Sequence, residues 1–81
     1  ETFSESQRHE NWIKQGKKDY YTGLPLKWED TAGDHYIPRS WGIVAGGVTE
    51  LENLAVASIA NNRRKLNMHG DDFLKLMESE K

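Results

Sequence analysis

Asp34 and His35 stand side by side in GDHYIPRSW, residues 33–41, and Pro38 and Arg39 follow almost at once. An acid beside a histidine can be a cation ligand with its base. The carboxylate offers a hard oxygen, and an imidazole with a pKa of about 6.5 can take a proton at neutral pH. The same pair can also be two ordinary polar residues at the end of a strand. Two further amides lie downstream, Asn53 in ELENL and Asn62 in NNRRK, the latter running into Arg63, Arg64 and Lys65. Each has a plain structural use when taken singly. Asp34 suits a turn and His35 a partly buried ring. Asn53 and Asn62 suit caps or turns, and Arg63-Arg64-Lys65 suits a solvated helix face. The outcome depends on whether the chain folds these segments onto one another.

The elements that must position them show as local patterns. Ser4 followed by Gln7 resembles a capping box, so a helix is expected over 4–15, ended by Gly16 and carrying only Trp12 and Ile13 as clear apolar residues. DYYTGLPLKW, residues 19–28, reads as a knuckle packed on the core. A short strand is expected over 34–37, stopped by Pro38, which cannot donate to a ladder. Residues 39–50 read as a loop around Gly42, Gly46 and Gly47. NLAVAS, residues 53–58, is a strand returning along the first. IANNRRKLN, residues 59–67, is a helix with Ile59 and Leu66 inward and Arg63 at the edge. DDFLKLMESEK is a helix with Phe73, Leu74, Leu76 and Met77 on its apolar face, and Asp71 and Asp72 at its positive end. This order predicts one small α+β domain: a two-stranded antiparallel hairpin plus a helix, flanked by an N-terminal and a C-terminal helix.

Composition narrows the function classes. Three Trp, three Tyr and two Phe need a core, which argues against disorder. The absence of cysteine excludes a disulfide and a thiolate zinc staple. No apolar run approaches the roughly 18 residues of a membrane span. The net charge of −2 speaks against nucleic acid, but the charge is unevenly placed. Lys14, Lys17, Lys18 and Lys27 lie in the first third, Arg39 and Arg63 to Lys65 lie by the motifs, and acids gather at both ends. Since residue 1 is Glu and not Met, the chain is expected to be part of a longer protein.

DHYIPRS at 34–40, ELENL at 50–54 and NNRRK at 61–65 together resemble the HNH, or ββα-metal, nucleases. Members of that family tend to read D-H-x-I-P-R-S, a glycine-containing loop, x-L-E-N-L, then C-x-x-C-N-R-x-K. The match covers about Asp19 to Met68 and implies an HNH core. It implies a DNA endonuclease that hydrolyses phosphodiester bonds with one Mg²⁺ or Mn²⁺. Asp34 and Asn62 would be the metal ligands, His35 the general base, and Asn53 the residue that holds the loop and orients the His35 backbone. Because adjacent strand residues face opposite ways, His35 is expected at an irregular turn or bulge. Arg39, Arg63, Arg64 and Lys65 become candidate phosphate contacts. DNA is the implied partner, an additional domain or homodimer is the expected source of specificity, and a bacterial or phage-like cytoplasmic setting is expected.

The chain departs from the pattern in two places. Family members often hold structural zinc with two C-x-x-C pairs. The matching positions here are Asp19, Thr22, Ser58 and Asn61, so no structural zinc is expected, and Tyr20, Tyr21, Leu24, Leu26 and Trp28 are expected to supply the stability instead. The loop WGIVAGGVT is also longer than the usual one, and Trp41 could stack on a base or, as is expected first, pack beneath it. These departures and the net charge support a competing reading, a retired nuclease fold that binds nucleic acid or protein without cutting.

Overall fold

The computed structural model describes residues 2–81; Glu1, one of the acids at the start of the chain, lies outside them. Local chemistry at Ser4 sets the first helix, α1 (Glu5–Lys14). The Ser4 hydroxyl accepts from Gln7 N at 3.1 Å, and the Gln7 side chain accepts from Ser4 N at 2.8 Å. This reciprocal cap satisfies two amides that the first turn would leave unpaired. Gly16, at φ +72°, then turns the chain out of the helix.

The sheet has two strands, β1 (Thr31–His35) and β2 (Leu54–Ser58), paired antiparallel with Thr31 opposite Ser58 and His35 opposite Leu54. The first strand lies earlier than expected. Tyr36 N still bonds the Asn53 carbonyl at 2.9 Å, but the next residue in phase is Pro38, which has no N–H, and the outward amide of Ile37 is taken by the Asn53 side chain at 2.8 Å. His35 is therefore not on an irregular turn or bulge. It is the last paired residue of a regular strand, and the bend begins at Tyr36.

β2 is buried along most of its length and divides the core. Leu54 and Val56 face Phe3 and Leu26, with Trp12 and Leu51 beside them. Ala55 and Ala57 face Tyr21 and Phe73, with Tyr36, Met68, Leu76 and Met77 around them. The two-residue period of a strand makes this division. Its outer edge has no third strand, and side chains take that place together with the Tyr20 amide, which donates to Val56 O at 2.9 Å. Gln15 accepts from Val56 N at 3.0 Å and donates to Val56 O at 2.9 Å, and Asn11 donates to Leu54 O at 3.2 Å.

The knuckle is tied to the same edge by Asp19, which is buried. One carboxylate oxygen accepts from Tyr21 N and Thr22 N, and the other accepts from Ser58 N at 2.9 Å and Asn61 Nδ2 at 3.0 Å. Of the residues expected to stabilise the knuckle, Tyr21 and Leu26 are buried, whereas Tyr20 and Leu24 are exposed. The main tie between knuckle and sheet is polar, because one carboxylate gathers all the positions that the resemblance assigns to a zinc site.

Helix α2 (Ile59–Lys65) follows β2 directly, capped by Ser58, whose hydroxyl accepts from Asn61 N at 3.1 Å. Its inward residue is Lys65, not Ile59 and Leu66, which are 39% and 75% exposed. Anchoring Asn61 to Asp19 fixes the helix rotation, and Lys65, four residues on, shares that face. Helix α3 (Gly70–Ser79) docks at the end of β1. Gly70 N donates to Tyr36 O at 2.7 Å, and any Cβ on Gly70 would overlap the Tyr36 ring. Among the described residues no helix is long and apolar enough to cross a membrane.

Asp19→Ala should lower the unfolding free energy by roughly 2–4 kcal/mol, because buried amides lose a charged acceptor. Urea denaturation measures this, and Asp19→Asn should retain part of the stability. A loss within about 0.5 kcal/mol, the range of ordinary surface changes, would show that the carboxylate is not the tie.

Candidate functional site

Asp34 leaves β1 toward α2 and is buried, 4% exposed. Two donors meet it there. The Tyr21 hydroxyl donates to Oδ2 at 2.5 Å, and the Lys65 ammonium lies 3.1 Å from Oδ2 and 3.3 Å from Oδ1. Lys65 also donates to the His35 carbonyl at 2.9 Å. Burial raises the Asp34 carboxyl above its ordinary value, opposed by the Tyr21 hydroxyl and Lys65. Burial, then the hydrogen bond to Asp34, pushes the Tyr21 phenol well above its usual range. Tyr21 thus keeps its proton and remains a donor.

Beside this pair opens a cavity of about 310 Å³, lined by Gly33, Asp34, His35, Pro38, Arg39, Asn62, Leu66 and Asn67. It brings Asp34 and His35 from β1 together with Asn62 from α2, so two segments distant in sequence share one opening. Register explains part of this: Asp34 sits opposite Ala55, whose small side chain leaves room beneath the strand. Lys65 fills that room from α2.

His35 is held from the other side of the strand. Its Nε2 lies 2.9 Å from the Thr49 hydroxyl, and its ring centroid is 4.4 Å from that of Phe3. Thr49 closes the long loop, so the loop and the N-terminal segment together fix the imidazole. Asn53 is buried and closes the loop at both ends. Its Oδ1 accepts from Ile37 N at 2.8 Å, and its Nδ2 donates to Ile37 O and Val48 O, each at 2.9 Å. Its side chain therefore bonds the backbone at Ile37 and Val48, not that of His35. Only its carbonyl, accepting from Tyr36 N at 2.9 Å, acts next to His35.

The candidate phosphate contacts separate. Arg39 lines the cavity. Arg63 lines a different one with Pro25, Lys27 and Ile59, and Arg64 pairs with Glu80. Lys65 is not on the surface at all; it is 1% exposed. Trp41 does not lie under the loop. It rests against His69, ring centroids 4.9 Å apart, and is half exposed. His69 in turn caps α3, accepting from Asp71 N at 3.0 Å.

Comparison with family models, curated proteins and solved structures returned no match. The chemistry of the cavity is therefore read from its own groups. A carboxylate and an amide oxygen form a hard donor pair of the type Mg²⁺ or Mn²⁺ accepts, with water and phosphate completing the shell. Among the described residues, no three His, Cys, Asp or Glu side chains converge. Sequence reasoning missed Tyr21, Thr49 and the inward Lys65. Only Lys65 carried a signal: it lies three residues after Asn62, on the same helical face.

Asn53→Ala should destabilise the fold by roughly 2–4 kcal/mol, since it strands the Ile37 amide and the Ile37 and Val48 carbonyls. Asn53→Asp should be at least as harmful at neutral pH, because a carboxylate cannot donate to those carbonyls. Thermal unfolding of the two variants measures the effect, and an Asp variant of wild-type stability would contradict the amide's donor role.

Proposed function

We propose that this chain is a divalent-metal-dependent DNA endonuclease domain of the HNH, ββα-metal kind, hydrolysing phosphodiester bonds. The observation that carries the reading is the cavity where Asp34, His35 and Asn62 meet, built from a hairpin and the helix that follows it. Asp34 and Asn62 would hold Mg²⁺ or Mn²⁺. The bound ion would act as a Lewis acid on the phosphate and its leaving oxygen. His35, steadied by Thr49 and Phe3, accepts the proton of the attacking water. Asn53 keeps the loop closed beside it. Arg39, at the cavity rim, is the best placed of the cationic residues to meet a phosphate oxygen.

One observation favours the second reading, a retired binding module. Both oxygens of Asp34 already have partners in Tyr21 and Lys65. Structure-specific or sequence-specific recognition in either case would come from a further domain or a second copy.

Plasmid relaxation assays with Mg²⁺ and Mn²⁺ decide between the readings. Cleavage should be abolished by EDTA and slowed at least about a hundredfold in His35→Ala, the scale of a lost general base. Asp34→Ala and Asn62→Ala should demand more metal for any residual rate. If the folded wild-type domain leaves duplex, single-stranded and branched DNA intact in both metals, the catalytic reading fails.

A further inference from the structure

Lys65 has no part in the chemistry described so far, yet it is the least exposed charged side chain of the described fold. Its ammonium sits against both oxygens of Asp34, with side-chain exposures of 0% and 5% for the pair. A charge removed from water in this way needs a counter-charge. Among the described residues, Lys65 is the cation that meets the Asp34 carboxylate. The Tyr21 hydroxyl adds a hydrogen bond but no charge.

We infer that Lys65 is a built-in counter-cation which holds Asp34 while the site is empty of metal and must give it up when a divalent cation binds. The inference rests on the reading of Asp34 and Asn62 as metal ligands. A divalent cation bonded to an Asp34 oxygen would stand within a few ångströms of the present position of the ammonium, in a poorly solvated site where like charges repel strongly. The ammonium now lies against both oxygens, so a cation bonded to either one displaces it from that oxygen.

The side chain has a second anchor for the exchange. Its bond to the His35 carbonyl, at 2.9 Å, is the shortest it makes and does not involve Asp34. Lys65 can pivot on that carbonyl, surrender the carboxylate and still satisfy one donor. Its four-carbon stem has the rotamers to do so. The carbonyl belongs to the residue that carries the base, so occupancy of the metal site is felt at the end of β1. The exchange makes metal affinity a difference between two cations, and Lys65 lowers it.

The experiment compares wild type with Lys65→Met, which keeps the stem and removes the charge. Isothermal titration with Mg²⁺ and Mn²⁺ should show at least about tenfold tighter binding in the variant, a change of about 1.4 kcal/mol. Thermal unfolding should show a larger metal-induced rise in Tm for Lys65→Met than for wild type, because the cation replaces the missing charge. Asp34→Ala in each background should abolish both effects. If Lys65→Met does not fold without metal, refolding driven by added Mg²⁺ or Mn²⁺ supports the inference, and failure to refold opposes it. In wild type, the Lys65 ammonium resonance should shift or broaden on adding Mg²⁺. Equal affinity in the two proteins, or an unmoved Lys65 resonance at metal saturation, overturns the counter-cation role while leaving the metal site intact. An absence of metal binding in both proteins overturns the role and the metal-site reading together. DNA cleavage is not needed for any of these outcomes.

Discussion

The unpaired edge of β2 is the constraint on which the rest of this structure depends. A strand buried on both faces cannot leave its amides and carbonyls without partners, and a two-stranded sheet satisfies only one edge. The chain answers with side chains. Gln15 bonds Val56 in both directions, Asn11 takes the Leu54 carbonyl, and Asp19 takes the Ser58 amide. Each of these bonds spans a large separation in sequence, so each also locates an element. Asn11 and Gln15 set α1 across the strand. Asp19 sets the knuckle, and through Asn61 it sets the rotation of α2.

That rotation is what creates the candidate site. With Asn61 turned toward Asp19, Asn62 lines the cavity and Lys65 points down at the sheet. The register of β1 on β2 then presents Asp34 to Lys65 and leaves His35 on the opposite side, under Thr49 and Phe3. Asp34 and His35 both line one cavity although a regular strand sends their side chains to opposite faces, with no bulge between them. The irregular backbone begins one residue later, where Asn53 intercepts Tyr36 and Ile37. A single edge requirement is thus transmitted through a helix rotation to the geometry of the site.

The sequence showed the local features and hid the long-range polar ones. The capping box, the strand at 54–58, the helix after it and the last helix were legible because each is announced by neighbours a few residues away. Asp34, His35 and Asn62 could be named because their motifs are contiguous. Inward and outward assignment on α2 failed, because apolar periodicity assumes that apolar residues turn inward. Here a hydrogen bond from Asn61 to Asp19 decided the rotation, and a lysine went inside with its counter-charge. The stabilising role assigned to Tyr20 and Leu24 failed for a related reason. The positions lacking cysteines are held by a carboxylate, and nothing in the spacing of Asp19 announces that it will accept four donors. The start of β1 at Thr31 was missed because Ala32 and Gly33 are poor strand formers on their own. Gly33 is in place because Leu54 and Phe3 press on it, leaving only close contact for a larger residue.

The Lys65–Asp34 pair is weak evidence for stability, since desolvating two charges offsets much of their attraction. An apolar pair of equal volume could fill the same space with no such penalty. What the ionic pair supplies is a counter-charge that favours the ionised form of a buried carboxyl, beside a cavity that Asn62 also lines. Burial alone raises the Asp34 carboxyl and would leave it neutral more readily; Lys65 and Tyr21 act against that. A neutral acid is a poor ligand for a hard cation, so on the proposed reading the pair would favour metal binding at a cost in desolvation. On the proposed reading, the arrangement is explained by what Asp34 would do and not by what the fold needs in order to stand.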